Sequence, residues 1–263
     1  MPINSKAVAV IPARWASTRF PGKPLALIKG KPMIEWVVRQ AQKASRISEV
    51  IVATDDERIL EAVTKFGGQA VMTSPEHATG SDRIAEVALG LKCDIVVNVQ
   101  GDEPLIPPEN IDQVIRCLDN NPSLSAATLM MPVHDPDEIS NPNIVKVIAD
   151  QKGRALYFSR APIPFHRDEW KSGSYEDILK SKEKGLSLVY KHVGLYAYTR
   201  SFLLEFTRLN PTPLEQLEKL EQLRIIEHGY PIQIDITEKK SIGVDQIEDL
   251  ERVERILDKQ NPC

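Results

Sequence analysis

Arg14, Arg19 and Lys23 place three cations within ten residues, and the side chains around them (Ala13, Ala16, Ser17, Gly22) are small. Cations separated by small residues leave room for a ligand to lie against the backbone, and that ligand is expected to be polyanionic; a surface loop of ordinary solvated Arg and Lys is the alternative. The stretch just before them, Ala7 to Ile11, is apolar and runs into Pro12. Proline has no N–H to give to a sheet ladder, so a strand is expected to end there. A cationic loop leaving the carboxyl end of a strand is where an open α/β sheet binds its ligand. The spacing is not that of a P-loop: Gly22-Lys23 is followed by Pro24, and Ser17 stands where the first glycine would be. Gly-x-Gly-x-x-Gly does not occur either. A nucleotide or phosphate site of a third kind is expected.

A second candidate lies where the apolar strand Ile95-Val-Val-Asn-Val99 runs out into Gln100-Gly101-Asp102-Glu103. A carboxylate at the end of a central strand, beside a cationic phosphate loop, suits Mg²⁺. Taken alone, Gly101-Asp102 could equally be a polar turn. The third candidate is His77-Ala-Thr79-Gly80-Ser81-Asp-Arg83, which opens a helical stripe of Ile84, Val87, Ala88 and Leu91. Thr79 or Ser81 can cap that helix. Arg83 in its first turn opposes the helix dipole, so it is expected to point at an anion or polar ligand. Further along, Arg160 follows an aromatic strand, His192 and Tyr196 sit in an alternating strand (189–198), and Glu221 and Gln222 sit on a helix (214–227). Asp245-Gln-Ile-Glu248 has capping-box spacing at the start of a terminal helix.

The elements that must position these groups follow from periodicity. Met33, Ile34, Val37, Val38 and Ala41 predict a helix over about 31–44, and Val50 to Ala53 a short strand. Thr54 to Glu57 reads as a capping box, Gly67-Gly68 as the helix stop, and 70–72 as the next strand. This alternation means a parallel sheet with right-handed crossovers. A helix at 108–118, strands at 126–133, 144–149, 156–158 and 232–236, and a loop of no assigned role near 168–186 complete the reading. The fold class is α/β: a doubly wound, mostly parallel sheet in one domain over 1–263, with a β-rich excursion at about 133–200.

Bulk composition narrows the partners. A formal net charge of -4 over 263 residues argues against nucleic acid or an anionic membrane as partner. No apolar run approaches the ~18 residues of a membrane span, and the N-terminus has no signal-peptide pattern. Cys93, Cys117 and Cys263 are too widely spaced for a zinc motif or a disulfide framework, which points to a reducing, cytoplasmic setting.

Ile11-Pro-Ala-Arg-Trp-Ala-Ser-Thr-Arg-Phe-Pro-Gly-Lys-Pro-Leu25, Gln100-Gly-Asp-Glu-Pro104, Asn143-Ile-Val-Lys-Val-Ile148, Ala155-Leu-Tyr-Phe-Ser-Arg-Ala-Pro-Ile-Pro164 and His192-Val-Gly-Leu-Tyr196 together resemble the 3-deoxy-manno-octulosonate (Kdo) cytidylyltransferases. The resemblance covers nearly the whole chain. It implies a nucleotidyltransferase-like fold and the reaction of CTP with an acidic eight-carbon sugar to give CMP-Kdo, for lipopolysaccharide biosynthesis, and pyrophosphate. It also implies a homodimer joined through the β-rich excursion. By this resemblance Ala13, Arg14, Ser17, Arg19, Lys23, Thr79, Gly80 and Ser81 bind the nucleotide. Arg83, Gln100, Arg160, His192, Tyr196, Glu221 and Gln222 bind the sugar. Asp102 and Asp245 hold Mg²⁺, and with Lys23 they form the catalytic group. The chain departs from the family pattern where Thr79 and Ser81 have exchanged places, and where Gln246-Ile247 replaces Thr-Pro. A cytidylyltransferase for the 8-amino analogue of the sugar, another sugar nucleotidyltransferase, and a non-catalytic nucleotide-binding regulator are the alternatives.

Overall fold

Six residues of the first strand alternate between two cores, which is what a strand covered on both faces requires. In a computed structural model that describes residues 5–16, 20–167, 175, 179 and 189–260, Ala7, Ala9, Ile11 and Ala13 pack into one apolar cluster, whereas Val8 and Val10 pack into another. This strand, β1 (Ala7–Ala13), runs one residue past Pro12. Its pairing with the strand on one side stops at Val10, so Pro12 lies where a missing N–H breaks no ladder on that side.

The chain then forms a small hairpin of β2 (Leu27–Ile28) and β3 (Lys31–Pro32), helix α1 (Met33–Ala41), and β4 (Ile47–Thr54). After these come α2 (Glu57–Lys65), β5 (Gln69–Met72), α3 (Gly80–Leu89), β6 (Ile95–Asn98) and α4 (Pro108–Asp119). Ile34, Val37 and Val38 of α1 and Ile111, Val114 and Ile115 of α4 cover one face of the sheet. Ile84, Ala85 and Ala88 of α3 cover the other. Each such side chain, taken fully out of water, contributes roughly 1.5–3 kcal/mol, apart from the smaller alanines. The doubly wound arrangement is therefore present. Cys93 and Cys117 are unpaired thiols packed beside the two clusters, and burial pushes Cys117 up to about 12. They act as small hydrophobes.

The first local correction concerns α2. Asp56 rather than Thr54 is its cap, accepting from the Arg58 N–H at 3.0 Å, and Thr54 Oγ1 instead accepts from the Asp56 N–H at 3.2 Å.

Beyond α4 lie β7 (Ala126–Pro132), α5 (Pro136–Ser140), β8 (Lys146–Ala149), β9 (Ala155–Ser159) and β10 (Tyr190–Thr199). The excursion leaves the sheet at the end of β7 and returns at the same edge, because Tyr190 pairs with Pro132. So β10 must run back down the sheet, antiparallel to both β7 and β6. With a last strand β11 (Ile232–Ile236) at the edge, the strand order is β11-β7-β10-β6-β1-β4-β5, and the β8–β9 hairpin is attached to the start of β10. That reversal brings the first half of β10 to the carboxyl ends of the parallel strands. Most of the stretch from 168 to 186 lies outside the described residues.

The remaining elements are α6 (Arg200–Phe206), α7 (Pro213–Glu218), α8 (Gln222–Glu227), β11 (Ile232–Ile236) and α9 (Glu248–Gln260). The single helix expected at 214–227 is two, broken at Lys219, whose φ is 54°. The break leaves helix-end carbonyls without partners, and Arg160 supplies them. Its Nε donates to Glu218 O at 2.7 Å and its Nη2 to Lys219 O at 3.4 Å. No helix among the described residues is long and apolar enough to cross a membrane.

Candidate active site

Three loops meet at the carboxyl ends of β1 and β6. The first carries Lys23 on a short turn (Lys23–Leu25) behind Gly22, whose φ of +70° suits glycine. A Cβ there would also lie 2.9 Å from the Trp15 ring, and the loop closes through Gly22 N–H to Trp15 O at 3.0 Å. Above that ring sits the Arg58 guanidinium, 3.4 Å from its centroid, itself held by Asp56. Arg14 Nη2 donates to Ala78 O at 3.1 Å, joining the first loop to the second. Ser17 and Arg19 lie outside the described residues.

The second loop opens α3. Thr79 caps the helix in a full capping box with Asp82, so its hydroxyl serves the backbone. Ser81 faces the other way, donating to Glu221 Oε2 at 3.0 Å. Arg83 corrects its expectation. It is fully buried, with Nη2 on the half-buried Asp55 Oδ2 at 2.6 Å and Nη1 on Thr73 Oγ1, so a neighbouring carboxylate offsets the unfavourable dipole. Arg160 corrects the other arginine expectation: its donors go to the carbonyls of Pro142, Glu218 and Lys219.

The third loop is the turn after β6. Gly101 crosses so close to β1 that a Cβ would stand 2.7 Å from Pro12 O, which explains the glycine. Asp102 accepts from Lys23 Nζ at 2.7 Å, and Asp245 Oδ1 lies 3.9 Å from the same nitrogen. Lys23 also donates to Val244 O at 2.8 Å. At the start of α9 the Asp249 carboxylate accepts the N–H groups of both Asp245 and Gln246. Beside Asp102, burial pushes the Glu103 carboxyl up to about 7, the Ser241 hydroxyl opposes this, and the neighbouring Asp102 charge adds to it.

Besides a larger cavity of about 510 Å³ that touches Glu103, His192, Gly194 and Ser241, these groups border two smaller ones. One, of about 150 Å³, is lined by Ala13, Arg14, Lys23, Gln100 and Asp102. The other, of about 210 Å³, is lined by Ser81, Gln100, His192, Tyr196, Glu221 and Gln222. Gln100 belongs to both, its Nε2 donating to Gly194 O at 3.2 Å. Asn98, Tyr198 and Gly194 also line the second cavity, and sequence reasoning missed them. Asn98 was visible as the one amide in an apolar strand; Tyr198 gave no signal.

Burial holds His192 down to about 3. Thr128 Oγ1 donates to the carbonyl of Val193 or Leu195, so the 3.0 Å contact with His192 is accepted from Nε2–H, and Nδ1 is left as an acceptor. Burial raises the Tyr196 hydroxyl well above its ordinary value, and burial raises Glu221 as well. Both have an atom with no hydrogen bond of normal geometry: Tyr196 OH and Glu221 Oε1. Buried polar atoms without partners are uncommon, and two around one cavity point to a ligand rich in hydroxyl groups.

A cation has a place as well. Two carboxylates already flank the Lys23 ammonium, and their hard oxygens suit Mg²⁺. Among the described residues no group of three or more His, Cys, Asp or Glu side chains could enclose a metal ion. A cation here would complete its shell with phosphate oxygens and water, as Mg²⁺ commonly does.

Comparison with known proteins agrees with this geometry. The cytidylyltransferase family model matches residues 8–242. Fold, cleft and family model together make the chain a nucleotidyltransferase of the cytidylyltransferase family. Two curated relatives, both 3-deoxy-manno-octulosonate cytidylyltransferases, come from Geotalea daltonii and Pelobacter propionicus. The first is 54% identical over 97% of this chain and 99% of its own length, and the second 55% identical over 92% and 93%. A solved CMP:2-keto-3-deoxy-manno-octonic acid synthetase in complex with CTP superposes with a TM-score of 0.88. It is 40% identical and covers 98% of this chain and 100% of its own. A 4-diphosphocytidyl-2C-methyl-D-erythritol synthase from Anaerococcus prevotii, 15% identical with a TM-score of 0.59, shares the fold over 97% of this chain and 96% of its own. The chain belongs with the 3-deoxy-manno-octulosonate cytidylyltransferases.

Proposed function

We propose that this chain activates 3-deoxy-manno-octulosonate with CTP, giving the CMP-sugar and pyrophosphate. The observation that carries the reading is the pairing of a cavity of partly unsatisfied hydrogen-bonding groups with a cleft holding Arg14 and Lys23, joined through Gln100. The sugar's anomeric hydroxyl bonds to the α-phosphorus, its proton leaves, and the bond from that phosphorus to the β-phosphate oxygen breaks. Such a transfer requires positioning and charge neutralisation more than covalent work by the protein. Arg14 and Lys23 hold the triphosphate, with Arg19 as a third cation. Ser81, Gln100, His192, Tyr196, Glu221 and Gln222 hold the sugar hydroxyls. Asp102 and Asp245 would hold Mg²⁺, which supplies Lewis acidity and neutralises phosphate charge.

The turn at Thr79-Gly80-Ser81 bears on base choice. Gly80 packs beside the Pro12 ring at ordinary contact distance, a Cβ there lying 3.5 Å away, and so tight a turn suits a small pyrimidine read by backbone and hydroxyl groups. Pyrophosphate release with saturating sugar acid is expected to favour CTP over ATP and GTP by about 100-fold or more. Comparable release with ATP at matched concentration would overturn the assignment of this turn.

The β-rich excursion is the surface for a second copy. The β8–β9 hairpin is tied to the main sheet by two register pairs with β10, and it exposes Leu156. Light scattering at micromolar concentration is expected to give twice the chain mass. A monomeric mass would remove this surface from the reading.

A further inference from the structure

Asp102 and Asp245 reach the same point from very different supports. Asp102 stands on a turn braced by β1. Asp245 stands in a segment, 237–247, with no regular structure between β11 and α9. The first part of that segment is anchored away from the site, through Thr237 Oγ1 to Asn110 Oδ1 at 2.7 Å and Asn110 Nδ2 to Lys239 O at 3.0 Å. Nearer the site, three bonds hold it to the other catalytic loops. Val244 N–H donates to Asp102 O at 2.9 Å, Lys23 donates to Val244 O, and Ser241 Oγ donates to Glu103 Oε2 at 2.5 Å. The two consecutive carboxylates of the turn thus serve different partners: Asp102 faces Lys23, and Glu103 faces the segment that carries Asp245.

We propose that Glu103 is a positioning residue whose hydrogen bond from Ser241 seats the 240–245 segment, so that Asp245 and Asp102 converge on one divalent cation. This rests on the reading of those two aspartates as metal ligands. Glu103 itself touches neither nucleotide nor sugar in this assignment. A hydrogen-bonded group one shell out from a metal typically alters affinity by 10–100-fold when removed.

The test is Mn²⁺ binding to the full chain with CTP and no sugar, read from the free-Mn²⁺ paramagnetic resonance signal. Alongside it run CTP affinity in EDTA and the melting temperature. Glu103→Ala and Ser241→Ala are each expected to weaken Mn²⁺ binding about 10-fold, with CTP affinity in EDTA unchanged. The double variant is expected to be no worse than either single one, because both remove the same bond. Glu103→Gln keeps an acceptor for Ser241 and is expected to restore binding. Parent-like Mn²⁺ binding by Ser241→Ala would overturn the proposal alone. So would a Glu103→Gln protein as weak as Glu103→Ala, since the carboxylate would then be acting as a ligand. If the parent itself binds no Mn²⁺ beside CTP, the metal reading fails and takes the proposal with it. Should Glu103→Ala not fold, Ser241→Ala and Glu103→Gln decide the matter.

Discussion

Asp245→Asn is expected to melt at the parent temperature and to lose on the order of 10²–10³-fold in Mg²⁺-dependent turnover. The stability half of this expectation comes from α9. A capping aspartate replaced by Ala typically costs about 0.5–2 kcal/mol, whereas Asn caps about as well as Asp, and the Asp249 carboxylate takes the N–H groups of Asp245 and Gln246 whatever stands at position 245. The Asp245 side chain is 62% exposed and lies 3.9 Å from Lys23, so its ion pair adds little stability. The turnover half comes from charge. Asparagine keeps the shape and one oxygen but removes the anionic oxygen that a hard cation prefers. Asp102→Asn is expected to behave alike in turnover, since its amide oxygen can still accept from Lys23. Pyrophosphate release against Mg²⁺ concentration, with a melting curve for each variant, checks this. Near-normal turnover in a well-folded Asp245→Asn protein would falsify the metal role.

Lowering the pH from about 6.5 toward 4 is expected to destabilise the parent more steeply than a His192→Asn variant. In the folded protein His192 is held down to about 3 by burial, whereas in the unfolded chain it titrates near 6.5. Its folded pKa is depressed, and the group is a base. Between the two values the unfolded state therefore binds one more proton than the folded state, and stability falls as pH falls. The contribution approaches about 1.4 kcal/mol per pH unit in the middle of that window and vanishes above it. Carboxylates add their own slope, so the measured quantity is the difference between parent and variant in denaturant midpoint at each pH. Asparagine still offers Thr128 a donor, which limits the loss at pH 7. Parallel slopes for the two proteins would show that the ring is solvated when folded. The same neutrality bears on binding: a ring that stays uncharged at pH 7 offers hydrogen bonds to sugar hydroxyls and no ion pair to a carboxylate.

Much of this architecture is local, and so was legible in the chain. The two-core alternation of β1, the stripes of α1, α3 and α4, and the hydroxyl cap of α3 depend on residues within a few positions of one another. The same holds for the cation-rich loop and for the turn at Gly101-Asp102, whose ligand edge follows from parallel strands alone. Motif resemblance extended this to Gln100, His192, Tyr196, Glu221 and Gln222, and the structure gathers all five around one cavity.

Tertiary structure decided the rest, because the decisive partners are distant in sequence. Arg83 was read against its own helix, but Asp55, 28 positions away, takes its charge. Arg160 was expected to bind the sugar; the helix break at Lys219, 59 positions on, supplies the carbonyls that occupy it. No periodicity marks that break, since Leu217, Leu220 and Leu223 continue a helical stripe across it. The break also sets Glu221 at the start of α8, where it meets Ser81 across 140 positions. Strand direction is the clearest case. Alternation identifies β10 as a strand, but a strand read in either direction has the same period of two. Only the return of the excursion beside β7 fixes its sense, and that sense is what carries His192 and Tyr196 to the ligand edge.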